Sequence, residues 1–327
     1  MTEDVGEHTT QIDPDSLLAH PDVARVASLL KAVGLTPPVK GDIGSVRAYL
    51  ERVTQFVGAT SKPLECERLI DISVNGRLVP CKLYWPDNVA SAGLLFYCHG
   101  GGFRHGSLAG WDAPLRQLVR SGAVAVLSIE YALAPEHPFP TAFEEVVAIV
   151  RQVIEVQTIS VFKVDRFALG GDSAGANLAL AAALALRDQG IALRHLLLFY
   201  GVYSKDTQAS SWRRFGHFGG YGLSADSMCM YWQSYLPDGQ DDWRVQPLHA
   251  ELHGLPTTRL VVGDLDPLLD ENIQLHRKLQ ACGVDSSLLV LPGIIHGVLR
   301  FSELAQVVQD FIKKEGAALS TSLSKES

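Results

Sequence analysis

Phe167-Ala168-Leu169-Gly170-Gly171-Asp172-Ser173-Ala174-Gly175, with the Ala-rich run Ala176 to Leu186 behind it, is the stretch that decides how this chain reads. A short apolar run, a serine between glycines and a run of good helix formers read as strand, sharp turn and helix. The middle has the form G-x-S-x-G, a turn that lifts a serine hydroxyl clear of the backbone at a strand end. Gly171 and Gly175 suit a turn whose base is crowded by neighbouring strands. The helix start also turns its positive dipole end toward negative charge developing near Ser173.

Upstream, His99-Gly100-Gly101-Gly102 closes the apolar run Gly93 to Cys98. Consecutive glycines let backbone N–H groups turn inward as preorganised donors to an oxyanion, and losing one such donor costs about 3 kcal/mol of barrier. The N–H of Ala174, next after the serine, completes such a hole. A phosphate-cradling loop is the competing reading. It fails because no Lys-Ser or Lys-Thr follows the glycines. His99 precedes the serine, so it reads as support for the loop and not as a base. Together the two motifs predict serine-based acyl transfer.

That chemistry needs an acid and then a histidine downstream of the serine. The acid candidates are Asp264, Asp266 and Asp270, in the loop delivered by the strand Thr258 to Val262. Asp266 precedes Pro267, which fixes an extended turn. Asp270 is expected to cap the next helix, and Asp264 is the main rival. Of the later histidines, His276 falls inside a helical pattern. His296 lies in the loop Pro292-Gly293-Ile294-Ile295-His296-Gly297, after the strand Ser287 to Leu291, where a proton shuttle is best placed.

The rest of the chain supplies a scaffold. Continuous apolar runs at Gly93 to Cys98, Ala123 to Ile129, Phe167 to Gly170, Leu193 to Phe199, Thr258 to Val262 and Ser287 to Leu291 read as strands buried on both faces. Helical patterns alternate with them at Ala113 to Ser121, Ala142 to Gln157, Ala176 to Asp188, Asp270 to Cys282 and Ser302 to Glu315. This alternation predicts a largely parallel α/β sheet with helices on both faces. A hairpin at Leu69 to Trp85, turning on Asn75-Gly76, precedes it. Two helix-period stripes lie further upstream, Leu17 to Leu30 and Val46 to Phe56, separated at Gly34 and Pro37-Pro38. We read residues 1–60 as an N-terminal helical cap segment and 61–327 as the catalytic domain. A cap insertion, rich in aromatics, falls at about 203–245, too long for a plain connection. The tail from Ala317 is small and polar and is expected to fray.

Composition narrows the partners. The 327 residues carry a formal net charge of −8, which argues against nucleic acid or an anionic membrane as the main partner. The five cysteines are odd in number and form no C-x-x-C pair, so neither a disulfide framework nor a metal site is expected. A reducing cytoplasm is the simplest setting. The N-terminus has no basic and apolar leader pattern, and no apolar run approaches the roughly 20 residues that span a bilayer.

Several motifs in order now resemble the hormone-sensitive-lipase-like family of α/β-hydrolases, and within it bacterial acetyl esterases. They are His99-Gly100-Gly101-Gly102-Phe103, Tyr131-Ala132-Leu133-Ala134-Pro135-Glu136-His137-Pro138-Phe139-Pro140 and Gly171-Asp172-Ser173-Ala174-Gly175, then Tyr200-Gly201-Val202-Tyr203, Asp266-Pro267-Leu268-Leu269-Asp270 and His296-Gly297. The resemblance covers roughly residues 65 to 315. It implies an α/β-hydrolase fold with a helical cap, and a triad of Ser173, Asp266 and His296. It further implies an oxyanion hole from the N–H groups of Gly101, Gly102 and Ala174, supported by His99 and Gly100. The implied activity is a serine carboxylesterase acting on short-chain acyl esters, with no cofactor and a small-molecule ester as partner, in a monomer or homodimer. Two departures stand out: Arg104-His105 after Phe103, where smaller or apolar residues are usual, and Val298 where an aromatic is common. An amide or lactone substrate would use the same triad. A ligand- or protein-binding regulator on a hydrolase fold is the contrasting reading, but such proteins often lose a triad member and this chain keeps all three.

Overall fold

Asn75 and Gly76 both take positive φ, 48° and 83°, and so turn β1 (Cys66–Val74) back on β2 (Arg77–Trp85). Asn and Gly are the residues that accept this conformation at little cost, which is why the pair makes a tight hairpin turn. The register is in step, with Val74 opposite Arg77 and Cys66 opposite Trp85. We describe a computed structural model of the chain over residues 19–36, 42–89, 93–156, 164–217, 219–239 and 241–324. Leu17, Leu18, Pro37, Pro38 and Phe218 lie outside these described residues, as does the end of the helix expected to reach Gln157.

Two helices precede the hairpin, α1 (Pro21–Ala32) and α2 (Ile43–Val57). Six strands follow it: β3 (Leu94–Cys98), β4 (Ala125–Ile129), β5 (Phe167–Asp172), β6 (His195–Phe199), β7 (Thr257–Gly263) and β8 (Ser286–Leu291). Between and after them come α3 (Leu108–Gly122), α4 (Thr141–Val156), α5 (Ala174–Asp188), α6 (Ser210–Phe215), α7 (Ala225–Tyr235), α8 (Leu269–Ala281) and α9 (Gln306–Ser324). The sheet order is β1-β2-β4-β3-β5-β6-β7-β8. In that order the six strands from β4 to β8 pair in parallel, whereas β1 with β2 and β2 with β4 pair antiparallel. This is the expected α/β-hydrolase sheet.

β3, β4 and β6 are buried along their whole length. Their continuous apolar sequences follow from burial on both faces. One face is covered by α4, α5 and α8, whose Val146, Leu180 and Leu275 join Phe96 and Leu198 in one core. The other carries α3 and α9, where Leu115 and Phe311 pack with Leu95 and Val261, and Val23 of α1 and Val53 of α2 join the same core from beyond them.

Three expectations need correction. α3 begins at Leu108, not near Ala113, because Pro114 lies inside the helix and not in its first turn; Ser107 caps it, its Oγ accepting from Gly110 N at 3.3 Å. A short 3-10 turn at Val298–Phe301 follows His296, so the last helix starts at Gln306 and not at Ser302. The tail does not fray at Ala317: α9 runs on to Ser324 with Leu319 and Leu323 buried. Those two leucines stand one helical turn apart, a spacing hidden by the polar residues around them.

The topology decides where chemistry gathers. Parallel strands end on the same edge of a sheet. The residues after β3, β5, β7 and β8 therefore share one edge, with β3 beside β5 and β7 beside β8. No helix among the described residues is long and apolar enough to cross a membrane.

Candidate active site

Ser173 stands between β5 and α5 at φ 54° and ψ −119°, a backbone conformation that a residue with a Cβ rarely adopts. Such strain costs about 1–3 kcal/mol and persists only where the surroundings impose it. Here they do. Cβ atoms at Gly171 and Gly175 would both collide with the Cys98 carbonyl of β3, so the turn is pressed onto its neighbour strand. Ser173 N donates to Phe199 O at 2.9 Å, and Asn177 Nδ2 ties α5 to Val202 O and Val245 O, both at 2.8 Å.

Ser173 Oγ lies 3.0 Å from His296 Nε2. On the other side of the ring, His296 Nδ1 lies 2.9 Å from Asp266 Oδ2 and 3.2 Å from Oδ1. A carboxylate only accepts, so Nδ1 holds the proton and Nε2 offers its lone pair to the serine hydroxyl. Asp266 is fully buried, and its Oδ1 also accepts from Leu268 N at 2.8 Å. The His296 loop is fixed from outside the sheet, since His296 N donates to Tyr221 O at 3.0 Å. Tyr200, after β6, meets the imidazole edge-on with ring centroids 5.0 Å apart.

The rival acids sit elsewhere. Asp264 Oδ1 accepts from Gly293 N at 2.7 Å and braces the base of the histidine loop. Asp270 is not the helix cap expected of it. It lies inside the first turn of α8 and accepts from Ser211 N at 2.8 Å, joining α8 to α6. His276 pairs with Ser286 Oγ at 2.9 Å, away from the serine.

The glycine loop meets the serine turn from β3. Gly100 N donates to Asp172 Oδ1 at 2.8 Å, and the Tyr97 hydroxyl donates to the same oxygen at 2.9 Å. Tyr200 donates to Oδ2 at 3.3 Å. Asp172 is thus a buried strut between the two motifs. Burial raises its pKa from 3.8 to about 6, against the opposing pull of the Tyr97 and Gly100 donors.

His99 is fully buried, and its Nδ1 lies 2.8 Å from Gly100 O. A carbonyl only accepts, so Nδ1 donates. Carbonyl and N–H of one trans peptide point in opposite directions. Holding Gly100 O toward the imidazole therefore aims the Gly101 N–H the other way. Burial lowers the pKa of His99 to about 4, which keeps the ring neutral near pH 7. Its ring stacks on Tyr131 with centroids 4.3 Å apart, and the Tyr131 hydroxyl donates to His99 O at 2.6 Å. The Ala174 N–H belongs to the first residue of α5, where helix N–H groups have no partner within the helix.

The structure brings Ser173, Asp266, His296, Gly100 and His99 into this one arrangement. Tyr200, within the Tyr200-to-Tyr203 motif, binds Asp172, and three tyrosines without an expected role join the site: Tyr97 on Asp172, Tyr221 on the histidine loop, and Tyr231, whose ring covers Gly102. No local signal marks them, since each acts across tens of residues. Glu136, within the Tyr131-to-Pro140 motif, pairs with Arg47 of α2 at 2.7 Å. Among the described residues no cluster of His, Cys, Asp and Glu is arranged to hold a metal ion.

Known proteins resemble the chain in sequence and in fold. A family model described as alpha/beta hydrolase fold matches residues 95–300. An acetyl esterase of Salmonella choleraesuis is 33% identical, over 90% of this chain and 94% of its own length. Another from Salmonella typhi is 33% identical over 86% and 88%. Among solved structures, a hyperthermophilic esterase from Pyrobaculum calidifontis superposes with a TM-score of 0.87 at 26% identity, covering 93% of this chain and 98% of the other. A thermostable esterase from Pseudomonas putida does so at 0.85 and 26%, covering 94% and 98%.

Proposed function

The chain belongs to the alpha/beta hydrolase fold family and is a carboxylic ester hydrolase, and from that premise we propose that it cleaves short-chain acyl esters with Ser173 as nucleophile. The observation that carries this is the unbroken relay from Ser173 Oγ through His296 to Asp266, at 3.0 and 2.9 Å.

His296 Nε2 takes the hydroxyl proton as Ser173 Oγ attacks the ester carbonyl. Asp266 holds the imidazole in the required tautomer and stabilises the imidazolium that forms. The N–H groups of Gly101, Gly102 and Ala174 receive the oxyanion. The tetrahedral adduct collapses, the C–O bond to the alcohol breaks, and His296 returns its proton to the leaving oxygen. Water then attacks the acyl-Ser173 ester, giving a proton to His296; the second adduct collapses, the bond from the acyl carbon to Ser173 Oγ breaks, and His296 returns the proton to Oγ as the carboxylic acid leaves. The protein's own groups balance every proton.

Helices α1, α2, α6 and α7, from the segments 1–60 and 203–245, form the cap over this edge in our reading. The Tyr231 ring against Gly102 and the Phe103–Tyr235 stack, centroids 4.0 Å apart, support a small acyl pocket. All five cysteines are unpaired, which supports a cytoplasmic setting.

Initial rates on p-nitrophenyl esters of rising acyl length test the substrate class. Turnover that peaks from acetyl to butyryl and vanishes in Ser173→Ala supports it. A peak at long chains overturns the short-acyl assignment.

A further inference from the structure

The turn that carries Gly102 closes on a single carbonyl. Gly101 O accepts from Arg104 N and from His105 N, both at 3.1 Å. Since carbonyl and N–H oppose each other across a trans peptide, holding Gly101 O inside the turn points the Gly102 N–H out of it. Whatever fixes residues 101–105 therefore fixes one oxyanion donor.

Two helices from outside the sheet grip this turn, each at one of its last two residues. From α2, Arg47 Nε donates to Arg104 O at 2.9 Å and Nη2 donates to Ala134 O at 3.2 Å. The same guanidinium forks onto Glu136, at 2.7 and 2.8 Å. From α7, Tyr231 reaches His105, with its hydroxyl 3.2 Å from Nε2. Its ring lies so close to Gly102 that a Cβ there would collide with it. His105 is buried, and burial with nearby arginines pushes its pKa down to about 3. The ring is thus neutral, and its Nε2 contact with Tyr231 does not change with protonation near pH 7. Arg104 and His105 are the two residues that depart from the usual pattern after the glycines, so this double grip sits where the chain is individual.

We propose that Arg47 and Tyr231 are positioning residues that orient the Gly102 N–H, so that the seating of α2 and α7 controls transition-state stabilisation at Ser173. Their hydrogen bonds go to the glycine turn and its neighbours and not to Ser173, His296 or Asp266. The proposal rests on the reading of Gly101, Gly102 and Ala174 as the oxyanion hole. Arg47 acts through its planar fork, which bonds a carboxylate and two carbonyls at once. A lysine supplies the charge without that geometry.

The test measures kcat and KM on p-nitrophenyl acetate for wild type, Arg47→Lys, Arg47→Ala and Tyr231→Phe. Beside these it measures inhibition by a trifluoromethyl ketone, which forms an oxyanion on the serine, and by acetate, which does not. A misaligned donor lowers kcat by about tenfold in Arg47→Ala while KM stays within about twofold. Affinity for the ketone falls by the same factor as kcat, affinity for acetate stays, and Arg47→Lys does not restore the loss. Tyr231→Phe keeps the ring and removes one hydroxyl, so it reads the same effect in a folded protein if Arg47→Ala fails to fold. Unchanged kcat in the variants, a rise in KM alone, or lost kcat with undiminished ketone affinity would overturn the grip. Wild-type turnover that survives Ser173→Ala would instead overturn the reading beneath it.

Discussion

Asp172 Oδ1 accepts the N–H of Gly100 at 2.8 Å, so the residue before Ser173 holds the start of the glycine loop. One buried carboxyl thereby fixes the distance between the two halves of the site. It does so at a cost, because burial raises its pKa from 3.8 to about 6.

That cost has a pH signature. The folded state favours the neutral carboxyl. The stability this carries is fully present below the ordinary value of 3.8 and is lost as pH rises through about 6. Asp172→Asn, which cannot ionise, escapes the loss. Urea unfolding at pH 4 and pH 7 should show wild type losing on the order of 2–3 kcal/mol relative to Asp172→Asn. An equal difference at both pH values would remove the titrating strut.

The two loop aspartates separate cleanly. Asp266 is buried against His296, whereas Asp264 binds the Gly293 N–H. Asp266→Asn reverses the hydrogen-bond sense at Nδ1 and should lower kcat by about 10⁴-fold. Asp264→Asn keeps an amide oxygen to accept from the Gly293 N–H and should stay within about tenfold of wild type. Steady-state rates on one ester decide it, and the opposite ranking would move the acid to Asp264.

The site was legible in the chain to different depths. Ser173 and the glycine loop lie in short motifs next to apolar strands, where local sequence dictates local structure. His296 followed from chain order and its place at a strand end. Asp266 could not be separated from Asp264 by spacing alone, since both lie on one loop; the burial of Asp266 and the hydrogen bond of Asp264 to Gly293 distinguish them. Asp270 misled because an acidic residue at a helix start suggests a cap, yet its partner Ser211 lies 59 residues away. The strands appeared because buried parallel strands have continuous apolar sequences. Helix ends did not: α3 begins at Leu108, ahead of the pattern that starts at Ala113, and the polar setting of Leu319 and Leu323 disguised the end of α9.

His99 supplies a further check. Its Nδ1 proton holds Gly100 O, while its ring packs on Tyr131. His99→Phe keeps an aromatic ring and deletes the donor, so kcat should fall by about tenfold or more with little change in KM. A variant with full kcat would show that the imidazole contributes packing alone.

The central claim is that Ser173 is the nucleophile, activated by His296. A p-nitrophenyl phosphonate ester tests it most directly, because it transfers its phosphonyl group to an activated serine. Mass spectrometry of the digested protein then locates the adduct, while residual esterase activity is followed in the same sample. The account predicts one adduct per chain, on the peptide containing Ser173, with activity lost in step with labelling, and no adduct in Ser173→Ala or His296→Ala. A stoichiometric adduct on another residue, or full activity in the labelled protein, would contradict it.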